Sequence, residues 1–191
     1  MEKNTALGLL PELGKEWRVS FEFRPTNYSL TADTNLLQLT SGAPSTEHGS
    51  MTPTISFLNG WNGITEMIVK SSMSSHTDKL FHINTLPKIG EWTKIEVDQR
   101  QEGCSYFFVV SIANKELFQR QNQNPRKFSN VAVFASNPED EAQPGSIRNL
   151  VIMTSAAGEL LEKWNNLFIH RKPTDPCQCY NVKRRRRSIC W

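Results

Sequence analysis

The sequence of 191 residues lacks several features that would point to a membrane or to catalysis. It has no run of about 18 apolar residues, which excludes a membrane-spanning helix. No serine stands in a G-x-S-x-G frame, no G-x-x-x-x-G-K loop is present, and the four histidines form no H-E-x-x-H pattern. The sequence therefore gives no positive support for an enzyme.

The N-terminal residues also lack the apolar core of a signal peptide. The chain is therefore either intracellular or a piece of a longer secreted chain. Hydrophobic residues make up 38% of it and charged residues 21%, which excludes a wholly disordered protein.

A net positive charge is lacking outside the C-terminal segment. The whole chain carries a net charge of +3, but residues 170–191 contain seven basic side chains and one acidic side chain. That segment alone carries +6, which leaves residues 1–169 at −3. The basic balance therefore belongs to a tail and not to the surface of the body.

Alternating apolar and polar residues predict β-strands along most of the chain. From Trp17 to Phe23 every second residue is large and apolar, and the segment from Trp92 to Asp98 alternates in a similar way. The apolar run Tyr106–Ile112 predicts a central strand. Further strands are predicted at Val131–Ala135, Ile147–Met153, Leu36–Thr40, Thr54–Leu58, Ile64–Val69 and Leu80–Asn84.

Glycine, proline and asparagine turns separate these nine or ten strands, and residues 16–155 contain no convincing helical stretch. This pattern predicts an all-β protein, an antiparallel jelly-roll sandwich of two sheets. Helical spacing in Ala157–Phe168 predicts a short helix within residues 155–169. Residues 170–191, with two prolines and four consecutive arginines, predict a disordered basic tail.

Three segments resemble strands of one family of sandwiches. Gly90–Val97 is similar to a central G-x-W-x-x-hydrophobic strand, and Lys15–Phe23 is similar to a first strand. Pro144–Ile152 resembles a final G-x-I-x-N-L strand that returns to pair near the first one. Together they resemble laminin G-like and other concanavalin A-like modules, such as those of uncharacterised invertebrate extracellular proteins, over residues 7–154. The resemblance implies an extracellular module that binds sugars, proteins or Ca²⁺ without catalysis.

The loop of residues 59–63 places an indole among amides. Sugars stack on aromatic rings while amides bind their hydroxyls, so Asn59, Trp61 and Asn62 are predicted ligand-binding residues. The alternative is a tight turn whose tryptophan folds back onto the sandwich.

A second loop, Glu139–Glu141, carries three consecutive carboxylates. Oxygen ligands of this kind suit Ca²⁺, with Asp140 as the candidate ligand. The alternative is a solvated acidic loop, because adjacent residues do not all face one ion.

Cysteine is rare, and three of the four cysteines lie in the tail. Cys104 is either a buried or free thiol or a bridge to the tail, whereas Cys177, Cys179 and Cys190 predict disulfides more than a zinc site with His170. The sequence Asn27-Tyr28-Ser29 is a sequon, so Asn27 is a candidate glycosylation site in a secreted chain.

Four consecutive arginines in the tail form a candidate processing site. They are Arg184, Arg185, Arg186 and Arg187, and Ser188 follows them. This run has three interpretations: cleavage after Arg187 by a furin-type protease, polyanion binding to nucleic acid or sulfated glycans, or a solvated tail.

The function predicted from the sequence is a non-enzymatic, extracellular recognition module that binds a glycan or a matrix protein through rim loops. One alternative is a structural spacer, or a secreted precursor processed at Arg184–Arg187. A further alternative is polyanion binding by the tail, although a body with a charge of −3 disfavours nucleic acid.

Overall fold

The computed structural model describes residues 2–29, 31–44, 46–59, 65–137 and 139–155, which form β-strands and no helix. None of these residues forms a helix that is long and apolar enough to cross a membrane. The predicted helix Ala157–Phe168 and the tail 170–191 lie outside the described residues. The strands are β1 (Ala6–Leu13), β2 (Trp17–Pro25), β3 (Thr34–Thr40), β4 (Thr54–Asn59), β5 (Thr65–Met73), β6 (His76–Ile83), β7 (Thr93–Glu102), β8 (Ser105–Ile112), β9 (Lys115–Asn122), β10 (Phe128–Phe134), β11 (Glu141–Ala142) and β12 (Gly145–Thr154).

The strands form two sheets that pack face to face. Sheet A has the order β1-β10-β3-β4-β5-β6, with the short β11 pairing β3 in parallel. Sheet B has the order β12-β2-β7-β8-β9, and all its pairs are antiparallel. The predicted two-sheet jelly-roll sandwich is therefore confirmed. The closing strand β12 pairs with β2, as the resemblance implied.

The core follows from the alternation of side chains along each strand. In β2 the residues Trp17, Val19, Phe21 and Phe23 are at most 4% exposed and point between the sheets, whereas Arg18 points outward. Apolar side chains of β3, β4, β5, β7, β8 and β10 join them in one cluster. This single core fixes which face of each strand can carry a site.

Strands β1, β9 and β11 were not predicted from the sequence. No strand was expected between Ile112 and Val131, but the chain continues there as the eight-residue strand β9. Trp92, predicted to begin a strand, precedes β7 and is partly exposed. Its ring lies 4.8 Å from the guanidinium carbon of Arg24 and 4.1 Å from that of Arg148, so arginines contact this indole.

Candidate functional site

One end of sheet A gathers polar side chains around the β4–β5 hairpin. Strand β3 begins there, β4 ends, β5 begins and β6 ends, because the pairs are antiparallel. We call the set Asp33, Asn59, Glu66 and His82 the hairpin rim. The backbone N–H of Asn59 donates to Oδ1 of Asp33 over 2.8 Å, which links the β3 and β4 ends of the rim.

The most exposed interaction of the hairpin rim joins Glu66 and His82. His82 pairs in register with Ile68, two residues beyond Glu66, so the two side chains lie diagonally on the outer face. The Nδ1 atom of His82 lies 2.9 Å from Oε2 of Glu66. Their side chains are 54% and 45% exposed, so both groups keep contact with solvent. His82 points to the face opposite its neighbours Phe81 and Ile83, which are each 3% exposed and belong to the core.

The sheet beside the rim is lined by small polar residues. Asn35 and Ser56 are 0% and 7% exposed, and Nδ2 of Asn35 donates to Oγ of Ser56 over 3.0 Å. The carbonyl Oδ1 of Asn35 accepts the backbone N–H of Asn137 over 2.9 Å. Asn35 therefore ties the acidic loop to sheet A.

The acidic loop is organised by Asn137. Its Oδ1 accepts the backbone N–H groups of Glu139 and Asp140 over 3.1 and 2.7 Å, and its Nδ2 donates to Oδ2 of Asp140 over 2.9 Å. One oxygen of the Asp140 carboxylate is thus engaged within the loop. Among the described residues no group of three or more His, Cys, Asp or Glu side chains could hold a metal ion. Ca²⁺ binding by Asp140 stays a prediction.

The predicted ligand-binding residues lie only partly within the described residues, whereas the candidate glycosylation site lies wholly within them. Asn59 ends β4, but Trp61 and Asn62 lie outside the described residues. Asn27 is exposed just after β2, as a glycosylation site must be. Ligand binding at the loop and glycosylation of Asn27 both stay predictions.

Of the four cysteines, the structure describes one. Cys104 is exposed in the β7–β8 turn and is disulfide-bonded, so the interpretation of a buried or free thiol is wrong. Its pairing stays a prediction, because Cys177, Cys179 and Cys190 lie outside the described residues.

The candidate processing site lies outside the described residues as well. This applies to all four of its arginines, Arg184, Arg185, Arg186 and Arg187. Cleavage after Arg187 and polyanion binding by the run both stay predictions, and neither has a structural counterpart in the described part of the chain.

A second polar feature lies at the opposite end of the sandwich, between the edge strands β6 and β9. It is a cavity of about 370 Å³, which we call the seam cleft. No motif in the sequence pointed to it, because the two strands that line it belong to different sheets. Its lining residues are Met73, Ser74, Ser75, His76, Lys79, Arg120, Gln121 and Gln123.

No protein-family model matches this sequence, and no curated protein matches it either. Solved structures do match. A native heptameric SAP-like pentraxin from Limulus polyphemus matches with a TM-score of 0.52 and 13% identity, over 78% of this chain and 70% of that one. Tailspike protein 2 of an Escherichia coli O157:H7 bacteriophage matches with a TM-score of 0.51 and 13% identity, over 78% of this chain and 21% of that one. Sheep galectin-11 matches with a TM-score of 0.46 and 13% identity, over 80% of this chain and 99% of that one.

At these identities the pentraxin and the tailspike protein show a shared fold and nothing finer. The chain is therefore a two-sheet jelly-roll β-sandwich. One fold carries many functions, so the function of such a protein depends on the side chains of its own site.

Proposed function

We propose that this protein is a non-catalytic recognition module that binds a saccharide at the hairpin rim. One observation carries the proposal: the exposed pair Glu66 and His82 lies at the end of sheet A where β4 ends and β5 begins. Leu58 pairs with Glu66, and Asn59 pairs with Thr65, so the predicted ligand-binding loop joins strand ends that adjoin Glu66.

The chemistry of the rim suits a hydroxyl-rich ligand. The carboxylates of Asp33 and Glu66 accept hydrogen bonds from sugar hydroxyls, and the ring of His82 both donates and accepts. An indole supplies the apolar surface on which a sugar ring stacks. We infer that Trp61 supplies this surface and that Asn59 and Asn62 orient the ligand.

The proposal also covers the protein family, the location of the protein and a role of Ca²⁺ in binding. The motif order in residues 15–152 favours a laminin G-like module that acts outside the cell, with a glycan or a glycosylated matrix protein as partner. Asp140 borders β11, which pairs with the start of β3. A Ca²⁺ ion held there would therefore lie at the same end of sheet A as the hairpin rim. Its contribution is tested together with the ligand.

A glycan array probed with the full chain tests the proposal, followed by calorimetry on each ligand found. Trp61→Ala and His82→Ala are each expected to weaken binding by about tenfold or more, which is about 1.4 kcal/mol of binding free energy. Glu91→Gln, at an exposed carboxylate that contacts Lys88, is the control and is expected to leave binding unchanged. Asp140→Asn with and without Ca²⁺ measures the role of the cation.

An array without ligands would overturn the saccharide proposal. Ligands that bind equally to the Trp61→Ala and His82→Ala proteins would move the site away from the hairpin rim.

A further inference from the structure

Two cations line the seam cleft from inward-facing register positions of the edge strands, where Lys79 is partly exposed and Arg120 is exposed. Lys79 pairs in register with Ser71, and Arg120 pairs with Phe108, which faces the core. Phe81 and Phe118, two residues from these cations along β6 and β9, have ring centroids only 4.5 Å apart, so the two edge strands approach each other there. Where the apolar contact ends, Lys79 and Arg120 continue on the same inner side and border the cavity.

The charge of the seam cleft is not balanced by carboxylates. Within the described part of the chain, neither Lys79 nor Arg120 forms an ion pair, whereas Arg18, Arg100 and Arg148 all do. No aspartate or glutamate lines the cavity, and His76 adds an imidazole. Two cations that face one cavity without a counter-charge repel each other. An anion bound between them offsets this electrostatic repulsion.

The wall of the cleft is held in place by a buried amide. Asn122, which is 3% exposed, accepts the backbone N–H of Ser74 over 2.7 Å and that of Asn124 over 3.1 Å. Its Nδ2 donates to Oε1 of Gln99 over 2.6 Å. Asn122 thereby fixes the β5–β6 turn against the end of β9, so the cavity is preformed and does not depend on a ligand.

We propose that the seam cleft binds the sulfate group of a sulfated saccharide, at a second site separate from the hairpin rim. The guanidinium of Arg120 and the ammonium of Lys79 donate charge-assisted hydrogen bonds to the sulfate oxygens. The hydroxyl of Ser75 and the amide of Gln123 bind the hydroxyls of the sugar that carries the sulfate. A cavity of about 370 Å³ lies within the size range of small-ligand sites.

Inward charges on edge strands have a second known effect, which is to prevent pairing between sheets of different molecules. That effect needs charge at positions 79 and 120 but no ligand. The two explanations therefore differ in whether a sulfated saccharide binds and whether the sulfate is required.

The test is an NMR titration of the full chain, in a background where Arg184–Arg187 are replaced by glutamine so that the tail does not bind the probe. The probes are a heparin-derived tetrasaccharide, its desulfated counterpart and inorganic sulfate. The sulfated tetrasaccharide is expected to shift the amide signals of residues 74–76 and 120–123. Lys79→Gln combined with Arg120→Gln is expected to weaken binding by about tenfold or more, by loss of two charge-assisted contacts.

The matched control is Lys88→Gln combined with Lys115→Gln, which removes the same charge at the other end of the sandwich. It is expected to change the affinity by less than about twofold, because salt screens distant charges. Ser75→Glu is the second variant; it puts a carboxylate into the cleft at an exposed turn position and is expected to weaken binding even if the double variant misfolds. Glu66→Gln is expected to leave this binding unchanged, which separates the two sites.

If the control variant lost as much affinity for the sulfated tetrasaccharide, long-range electrostatic attraction alone would explain the binding, and the proposal would be overturned. Equal affinity for the desulfated tetrasaccharide, or for inorganic sulfate alone, would also overturn it.

Discussion

At the scale of single residues, buried asparagines organise the ends of this sandwich. Asn35, Asn122 and Asn137 are each at most 4% exposed, and the side chain of each connects segments distant in the sequence or orders a loop. A buried amide that is fully hydrogen-bonded stabilises one loop conformation, because any other leaves its donors and acceptors unsatisfied.

Asn122 allows this role to be measured. Asn122→Ala removes the acceptor of the part-buried Ser74 N–H and the buried donor to Gln99. We expect it to lower the free energy of unfolding by about 3 kcal/mol, the scale of leaving buried polar groups unsatisfied. Urea unfolding measures this, with Asn124→Ala as an exposed control that changes the value by less than about 0.5 kcal/mol. A loss no larger than the control's would contradict the role given to Asn122.

At the scale of elements, the outer face of sheet B carries charges of both signs in adjacent strands. Asp98 of β7 lies between Arg18 of β2 and Arg100 of its own strand, at 3.8 Å from each, and is only 2% exposed. Burial raises the pKa of this carboxyl group above its usual value, and the two arginines offset only part of that effect.

The raised pKa predicts a pH dependence of stability. The folded protein holds the proton of Asp98 to a higher pH than the unfolded chain does, so this residue's contribution to stability falls as pH rises from the unfolded pKa through the folded one. Asp98→Asn removes that fall. We expect the stability of the variant relative to the parent to increase as the pH rises from about 3 to about 7, measured by urea unfolding. Glu91→Gln serves as the exposed control. A relative stability that is constant or decreases over this range would disprove the assignment.

Most of the strands that the sequence predicted have a buried face, although the edge strand β12 was predicted as well and none of its residues is fully buried. Strand β2 has one buried face and β8 is an inner strand, so the apolar residues of each formed a pattern that is recognisable in the sequence. Strands β1 and β9 are edge strands with many exposed residues, and β1 contains Gly8 and Pro11, which weaken a strand pattern. Strand β11 has two residues and no pattern.

The candidate sites divide in the same way. A local loop such as residues 59–63 can be recognised in a sequence because its residues are consecutive. Glu66 and His82 are 16 residues apart and meet only through the β5–β6 register. Lys79 and Arg120 belong to different sheets, and their shared cavity depends on how those sheets pack. Spacing along the chain carries no signal for such pairs.

At the scale of the whole molecule, the last strand of the described part of the chain ends at Thr154, and the backbone N–H of Ser155 donates to the carbonyl of Glu16 over 2.9 Å. All residues of the core cluster lie between Leu10 and Val133. By sequence, residues 1–155 have 14 basic and 16 acidic side chains, hence a net charge of −2, against +3 for the whole chain. Residues 1–155 thus have their own core and a net charge opposite in sign to that of the whole chain.

We therefore predict that a chain of residues 1–155 folds on its own, with Cys104→Ser included because Cys104 is disulfide-bonded. It is expected to unfold in urea in one cooperative transition, because all the described strands and the core cluster that they form lie within it. At neutral pH it is expected to bind an anion exchanger, whereas the whole chain binds a cation exchanger, since the net charge changes sign on removal of residues 156–191. A shortened chain without a cooperative transition would mean that residues 156–191 supply part of the fold, and the body and the tail would then have to be treated as one unit.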